Sequence, residues 1–300
     1  MTGPVLVLGD IMLDVNFEAP HGRLSPEAPV VVMANPAATY ALGGSANTAA
    51  NVTALGLPSV VLGIVGDDDA GSRCSAMLGE HGIIDACISS QAHKTTVKTR
   101  YRVSGQQLLR IDVEETEVSA EDAQRIAARV RETIDGASAL IISDYAKGVV
   151  TPAIARSVIE MARNGEVPVI VDSKKTDLSC FAHATAIAPN HHEALAATGH
   201  ADASLAARAI AASTLGGVVV TLGVGGMLVD DAGTQTHIPS QAREVADVTG
   251  AGDTVTAALA VALAEGAELV DAARWATAAA AVAVAHRGTF AVPRHAVVVE

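Results

Sequence analysis

The stretch DVTGAGDTVTAALA, Asp247 to Ala260, sets a carboxylate behind a two-glycine loop at the entrance of an Ala- and Leu-rich helix. At Gly250 and Gly252 the backbone can turn with no Cβ in the way, so successive amide N–H groups and the positive helix end converge on one anion. Such a loop, Gly250 to Gly252 with Ala251 between, is a phosphate cradle. A carboxylate at Asp253 could accept the proton of a hydroxyl attacking the cradled phosphorus, which is general-base chemistry. An isolated Asp here reads as a helix N-cap. The flanking glycines, with Asp247 and Thr249 nearby, favour the reactive reading, and one carboxylate is expected to serve both as cap and as base.

Other groups could bind what such a base acts on. In ALGGSANTAANVTALG, Ala41 to Gly56, Gly43 and Gly44 would let a ligand lie against bare backbone, with Ser45 or Asn47 offering hydrogen bonds; an ordinary helix entry with a Ser cap explains the same residues. Lys98, Arg100 and Arg102 alternate at period two on one strand face, and Arg110 falls on the next strand. These cations are either a solvated face or a site for a phosphorylated substrate, which guanidinium groups bind bidentately. Asp14 could receive substrate hydroxyls. Asn190 and Glu193, three apart on a helix, could orient a hydrated Mg²⁺, or be simply an N-cap with its capping-box partner. TLGVGG, Thr221 to Gly226, is followed by MLVDDAG, a strand and turn, so it is no dinucleotide fingerprint; a turn bordering a nucleotide and a plain hairpin both remain open. GxxxxGK[ST], HExxH and GxSxG motifs are absent.

The elements that must position these groups alternate. Apolar, β-branched runs at Val5 to Asp10, Ser59 to Gly66, Ala139 to Asp144, Val167 to Asp172 and Gly217 to Gly223 read as strands buried on both faces, separated by helical patterns. This rhythm predicts an α/β fold with a mostly parallel central sheet between helices, and a ligand site beyond the carboxyl ends of its strands. Segments at about 14–33 and 95–114 instead alternate like half-exposed strands, the second turning at Ser104 and Gly105. They are expected to form a small β lid on a single domain spanning 1–300.

Half of the 300 residues are apolar, enough for a sizeable core, and a net charge of −13 argues against nucleic acid or an anionic membrane as partner. Three isolated cysteines and no signal or transmembrane stretch fit a reducing cytoplasm.

Taken in order, GGSANTAANVTALG, APNHHEA, TLGVGG and DVTGAGDTVTAALA resemble the motifs of the ribokinase-like (PfkB) carbohydrate kinases. The resemblance spans nearly the whole chain and implies a three-layer α/β/α fold with a β lid, and transfer of the ATP γ-phosphoryl group to a sugar hydroxyl with Mg²⁺. It makes Asp253 the base and the Gly250, Ala251 and Gly252 backbone the anion hole. Asp14, Gly43, Gly44 and Asn47 become sugar contacts, Asn190 and Glu193 the metal and phosphate motif, and Thr221 and Gly223 nucleotide contacts. Asp247, Thr249 and the later HRGT, His286 to Thr289, match the region that holds a monovalent cation such as K⁺ in many members.

Within the family, KTRYRVSGQQLLRIDVEE, SDYAKGVVTP and VDSKKTDLSCFAHATAIAPNHHE are most similar to the heptose-7-phosphate kinases, which phosphorylate the anomeric hydroxyl of D-glycero-β-D-manno-heptose 7-phosphate. By that likeness Lys98, Arg100 and Arg110 become 7-phosphate contacts, Lys174 an ATP-phosphate contact, and Asp144 and Lys147 residues of the site's edge. Ser173 to Lys175 and Ala146 depart from the family's usual pattern and leave the sugar less defined than the phosphoryl transfer. Another sugar or sugar phosphate, such as ribose or a fructose phosphate, and a non-catalytic sugar-phosphate sensor are the competing readings. Many relatives continue into a nucleotidyltransferase domain, and from VPRHAVVVE at its end this chain is expected to be a kinase only. The lid edge could pair with a second copy to give a homodimer.

Overall fold

The computed structural model of the protein describes residues 3–299. Among them the main sheet has nine strands, in the spatial order Thr234–Ile238, Met227–Asp231, Gly217–Thr221, Ala186–Ile187, Val169–Ser173, Ala139–Asp144, Val5–Gly9, Ser59–Leu62 and Ile84–Asp85. Pairing is parallel from Gly217–Thr221 to the Ile84–Asp85 edge, and the two strands at the other edge run antiparallel.

Period two explains the layers. Along Val5–Gly9, Val5 and Val7 enter one core with helices Ser45–Ala54, Ala251–Ala264 and Leu269–Val284, whereas Leu6 and Leu8 enter a second core with helices Ala120–Thr133, Pro152–Asn164 and Ala203–Thr214. Ile141 against Leu140 and Ile142 repeats the division in the neighbouring strand. Both faces are therefore covered, as a parallel sheet requires. The expected run Ser59 to Gly66 divides at Gly63: Ser59–Leu62 stays in the main sheet, and Ile64–Gly66 pairs with Ile88–Ser90. Among the described residues no helix is long and apolar enough to cross a membrane.

A second sheet of four strands, in the order Gln106–Val113, Thr96–Val103, Ile11–Ala19 and Ala37–Gly44, stands beside the first. Its hairpin turns at Ser104 and Gly105 with φ of 49° and 82°, the left-handed pair of a type I′ turn. The first lid segment differs from the expected 14–33. Its strand begins at Ile11 and ends at Ala19, its partner is Ala37–Gly44, and Gly22–Leu24 with Val31–Met33 forms a separate small hairpin. AATYALGG carries little β-branched content to announce a strand. It becomes one by pairing antiparallel with Ile11–Ala19 over its whole length.

That strand delivers the chain into the first site helix. Gly44 has φ 59°, and a Cβ on it would lie 2.3 Å from the Asp10 carbonyl oxygen, so only glycine lets the chain pass there. Ser45 N donates to the same oxygen at 2.9 Å.

Candidate active site

Asp253 lies buried in the first turn of helix Ala251–Ala264. Its carboxylate does not cap that helix: Gly250, with φ 77°, occupies the N-cap position, and no side chain caps it. The expected double role therefore fails in its structural half. Asp253 Oδ2 accepts from Asn47 Nδ2 at 2.6 Å, and Oδ1 accepts from Thr48 Oγ1 at 2.9 Å and the Tyr145 hydroxyl at 2.8 Å. Burial pushes the carboxyl up from its ordinary range, while the three donors and the Lys174 charge pull it back. The geometry is that of a held, desolvated carboxylate, a group able to take a proton. Asn47 and Thr48 come from helix Ser45–Ala54, whose N-cap is Gly44; Ser45 makes no cap, contrary to one expectation, and its buried Oγ has no hydrogen-bond partner.

Tyr145 is held by its own backbone. Buried Asp10 accepts from the amides of Tyr145 at 2.7 Å, Lys147 at 3.1 Å and Val149 at 3.2 Å, fixing the loop after strand Ala139–Asp144. Lys147 Nζ reaches Glu114 at 2.7 Å, which straps this loop to the end of the lid hairpin. Burial first, then the Asp253 and Asp172 carboxylates, raise the Tyr145 phenol well above its ordinary value, so it stays a donor.

Next to Asp253 lies a second buried carboxylate. A Cβ on Gly252 would be 3.9 Å from Asp172 Oδ2, and burial pushes Asp172 up to about 6 against the pull of Lys174, with Asp253 adding to the rise. Lys174 Nζ contacts Asp172 at 3.4 Å and Glu193 at 2.6 Å. Burial works against the Lys174 charge, but Asp172 and Glu193 outweigh it and hold the ammonium above its ordinary range. Asn190 and Glu193 do form the capping box, Asn190 Oδ1 accepting from Glu193 N and Glu193 Oε2 from Asn190 N. The same Glu193 meets Lys174 through Oε1, so the cap also joins the polar cluster.

The lid contributes Asp14, which pairs with Arg100 Nη1 at 2.5 Å, and a Cβ on Gly43 would lie 2.7 Å from Asp14 Oδ2. Lys98 Nζ stands 6.0 Å from the Tyr145 ring centroid, bringing the lid to the Tyr145 loop. Arg110 is opposite Arg100 in the next strand, farther out, and its half-exposed guanidinium is paired with Asp112 at 2.9 Å. Asp144 is not available at the site's edge as expected. Fully buried, it accepts from Ser173 Oγ at 2.7 Å and Ala146 N at 3.0 Å and is ion-paired with Lys175.

Beyond the glycine loop an apolar cavity of about 260 Å³ is lined by Thr221, Gly223, Val248, Gly252, Ala281 and Val284 among others. Gly223–Gly225 makes a 3₁₀ turn between antiparallel strands Gly217–Thr221 and Met227–Asp231, so the glycine-rich turn belongs to a hairpin and also borders the cavity. Val224 and Val248 are 90% and 68% exposed, apolar surface that a flat ligand would cover. Asp247 Oδ1 accepts from Thr249 N at 3.0 Å and Oγ1 at 2.7 Å, and Oδ2 from Gly288 N at 3.0 Å, which ties the glycine loop to HRGT. Partial burial opposes its ionisation, yet these donors and Arg102 of the lid hold its carboxyl below the ordinary range.

The sequence pattern described as "pfkB family carbohydrate kinase" matches residues 4–295. The chain belongs to the pfkB family of carbohydrate kinases. It is 44% identical over 294 residues to the "Bifunctional protein HldE" of Caulobacter sp. (strain K31), covering 95% of this chain and 60% of that protein. The HldE protein of Geobacter sulfurreducens is 40% identical over 293 residues, with the same coverages of 95% and 60%. The chain thus spans about 60% of the length of the curated relatives it matches. Among solved structures, phosphofructokinase-2 from Escherichia coli in complex with potassium superposes with a TM-score of 0.82 at 23% identity, covering 99% of this chain and 97% of that one. Arabidopsis thaliana ribokinase complexed with ribose and ATP gives 0.77 at 25% identity, covering 99% and 98%. The fold is ribokinase-like.

For this pfkB kinase the family implies ATP and a divalent metal. Among the described residues no three His, Cys, Asp or Glu side chains cluster to enclose a metal. A metal held by substrate phosphates and its own waters, with one carboxylate such as Glu193 behind them, fits this donor set. Sequence reasoning missed Asp10, Thr48, Tyr145 and Asp172. Thr48 adjoins Asn47 in a helix already singled out, Asp10 and Asp172 end predicted strands at the edge where a ligand site was expected, and Tyr145 sits in SDYAKG, whose likeness to relatives was its signal.

Proposed function

We propose that the chain transfers the γ-phosphoryl group of ATP to the anomeric hydroxyl of D-glycero-β-D-manno-heptose 7-phosphate, giving the 1,7-bisphosphate. The observation that carries the reading is the meeting of a desolvated, hydrogen-bonded Asp253 with the glycine loop Gly250 to Gly252 that opens its helix and with Tyr145, whose ring the lid cation Lys98 approaches. On this reading the cavity beside Thr221 and Gly223 takes the adenine, and the loop amides of Gly250, Ala251 and Gly252 take the transferring phosphoryl group.

Asp253 receives the proton as the hydroxyl oxygen attacks, and Lys174 neutralises charge on the phosphates. Asp14, Gly43, Gly44 and Asn47 hold the sugar, and Lys98, Arg100 and Arg110 its 7-phosphate. Closure of the lid excludes water that would otherwise accept the phosphoryl group. Mg²⁺, bound through water near Asn190 and Glu193, would supply charge neutralisation on the phosphates. Asp247 and Thr249 mark the place of a monovalent cation, K⁺ in this reading. The protein works in the cytoplasm as a homodimer through the lid, a reading supported by its outer strand Gln106–Val113, exposed throughout and carrying Leu108, Leu109, Ile111 and Val113.

The test is ADP release with ATP and Mg²⁺ across heptose 7-phosphate, unphosphorylated heptose, ribose and fructose phosphates. Turnover confined to heptose 7-phosphate is expected. Faster turnover of another sugar overturns the substrate, and no turnover with any overturns the kinase reading in favour of a sensor.

A further inference from the structure

The donors around Asp253 are distributed unevenly. Oδ1 receives two, the Thr48 hydroxyl at 2.9 Å and the Tyr145 hydroxyl at 2.8 Å, whereas Oδ2 receives one, Asn47 Nδ2 at 2.6 Å. A carboxylate oxygen has two lone-pair sites. Oδ1 is therefore filled, and one site remains on Oδ2. We infer that Tyr145 is a positioning residue of the active site, whose phenol fills Oδ1 of Asp253 so that Oδ2 takes the proton of the attacking hydroxyl. This rests on the kinase reading above.

A ring retained only for packing would need no hydroxyl and no fixed backbone, and Tyr145 has both. Asp10, itself buried, collects three amides of the Tyr145 loop, and Lys147 straps the loop to Glu114 at the lid hairpin. Two cations approach the ring, Lys174 Nζ at 5.4 Å and Lys98 Nζ at 6.0 Å from its centroid, one from the expected nucleotide side and one from the lid. The loop thus sets the phenol against Asp253 Oδ1, the oxygen that Thr48 of helix Ser45–Ala54 also meets.

In the step, the sugar O–H bond breaks as the new P–O bond forms, and the bond from γ-phosphorus to the ADP oxygen breaks in line. The proton goes to Asp253 Oδ2 and the leaving electron pair to ADP, while Tyr145 keeps its proton. The groups facing the base are Asn47 and Thr48 from one helix, Tyr145 from its loop, and Asp172 and Lys174 from strand Val169–Ser173 and the residue after it, with Glu193 behind Lys174. Tyr145 is the neutral donor among them that can be removed without changing a charge or the helix that carries Asn47.

Tyr145→Phe deletes only that oxygen. Loss of a hydrogen bond to a charged group predicts a kcat fall of roughly 10- to 100-fold, with both KM values within about threefold and the acid limb of kcat moved to higher pH. Site-specific 3-fluorotyrosine, a stronger donor of nearly the same shape, is expected to move that limb to lower pH, and it decides the matter if Tyr145→Phe does not fold. The ¹³C carboxyl titration of Asp253 without substrates, assigned with Asp253→Asn, should rise in Tyr145→Phe. An active enzyme whose kcat and acid limb are unchanged in Tyr145→Phe overturns the inference. If wild-type protein turns over no sugar, the kinase reading has failed by itself; an unmoved carboxyl titration then removes the Tyr145 role too, and a raised one retains its hold on Asp253.

Discussion

Thr254 Oγ1 donates to Asn51 Oδ1 at 3.0 Å, joining two buried side chains 203 positions apart in sequence. One turn earlier on the first helix and one residue earlier on the second, the same two elements meet as Asn47 and Asp253. The helix that follows the lid strand is thereby laced to the helix that carries Asp253, and the register between the two is set by polar contacts inside an otherwise apolar core.

Thr254→Val should therefore cost stability. It leaves Asn51 Oδ1 with only the longer 3.4 Å contact from Val292 N. A buried acceptor left short of partners costs about 1–3 kcal/mol. Urea unfolding at constant m-value measures this, and an unchanged midpoint would show that the lacing is not structural.

The lid cations should discriminate substrates by charge. Arg100→Ala and Arg110→Ala are each expected to raise KM for heptose 7-phosphate by roughly 10-fold or more, in line with loss of a charge-assisted hydrogen bond. Turnover of unphosphorylated heptose should change little. Arg100→Ala also unpairs Asp14, so Arg110→Ala, whose own ion pair is half-exposed, is the cleaner of the two. Equal effects on both sugars would contradict a 7-phosphate role.

Much of this was legible in the chain because it is local. The β-branched runs gave the sheet, the hairpin turn announced itself as Ser104 and Gly105, and the glycines before Asp253 marked the loop that opens its helix. What stayed hidden depends on distant partners. Ala37–Gly44 is a strand only because Ile11–Ala19 pairs with it, and Asp253 is no cap because Gly250 takes the N-cap position and leaves its carboxylate to Asn47, Thr48 and Tyr145. Asp144 looked available at a strand end until Lys175, Ser173 and the Ala146 amide took its oxygens.

The apolar cavity should belong to the nucleotide. Ala281→Phe places a ring among Val248, Val255 and Val284. KM for ATP is expected to rise about 10-fold or more as that volume is filled, with KM for the sugar unchanged. A rise confined to the sugar would place the nucleotide elsewhere.

The buried carboxylate of Asp172, beside Asp253, predicts a pH effect on stability. Burial raises Asp172 from 3.8 to about 6, so the group favours the fold below about pH 4 and loses that contribution as pH climbs through about 6. The loss is about 3 kcal/mol. Because other carboxylates have their own trends, the quantity to measure is the stability of wild type minus that of Asp172→Asn, which should fall between pH 4 and pH 7. A difference that stays flat or rises would contradict the assignment of the shift to Asp172.

Asp253→Asn tests the centre of the account, since the amide keeps the shape and burial of the side chain and removes its capacity to take a proton. Steady-state ADP release with ATP, Mg²⁺ and heptose 7-phosphate should fall in kcat by about 10²–10⁴-fold, the range for a lost general base, while the thermal midpoint stays level or rises because a buried charge has gone. A variant that turns over at the wild-type rate would contradict the assignment of Asp253 as the base.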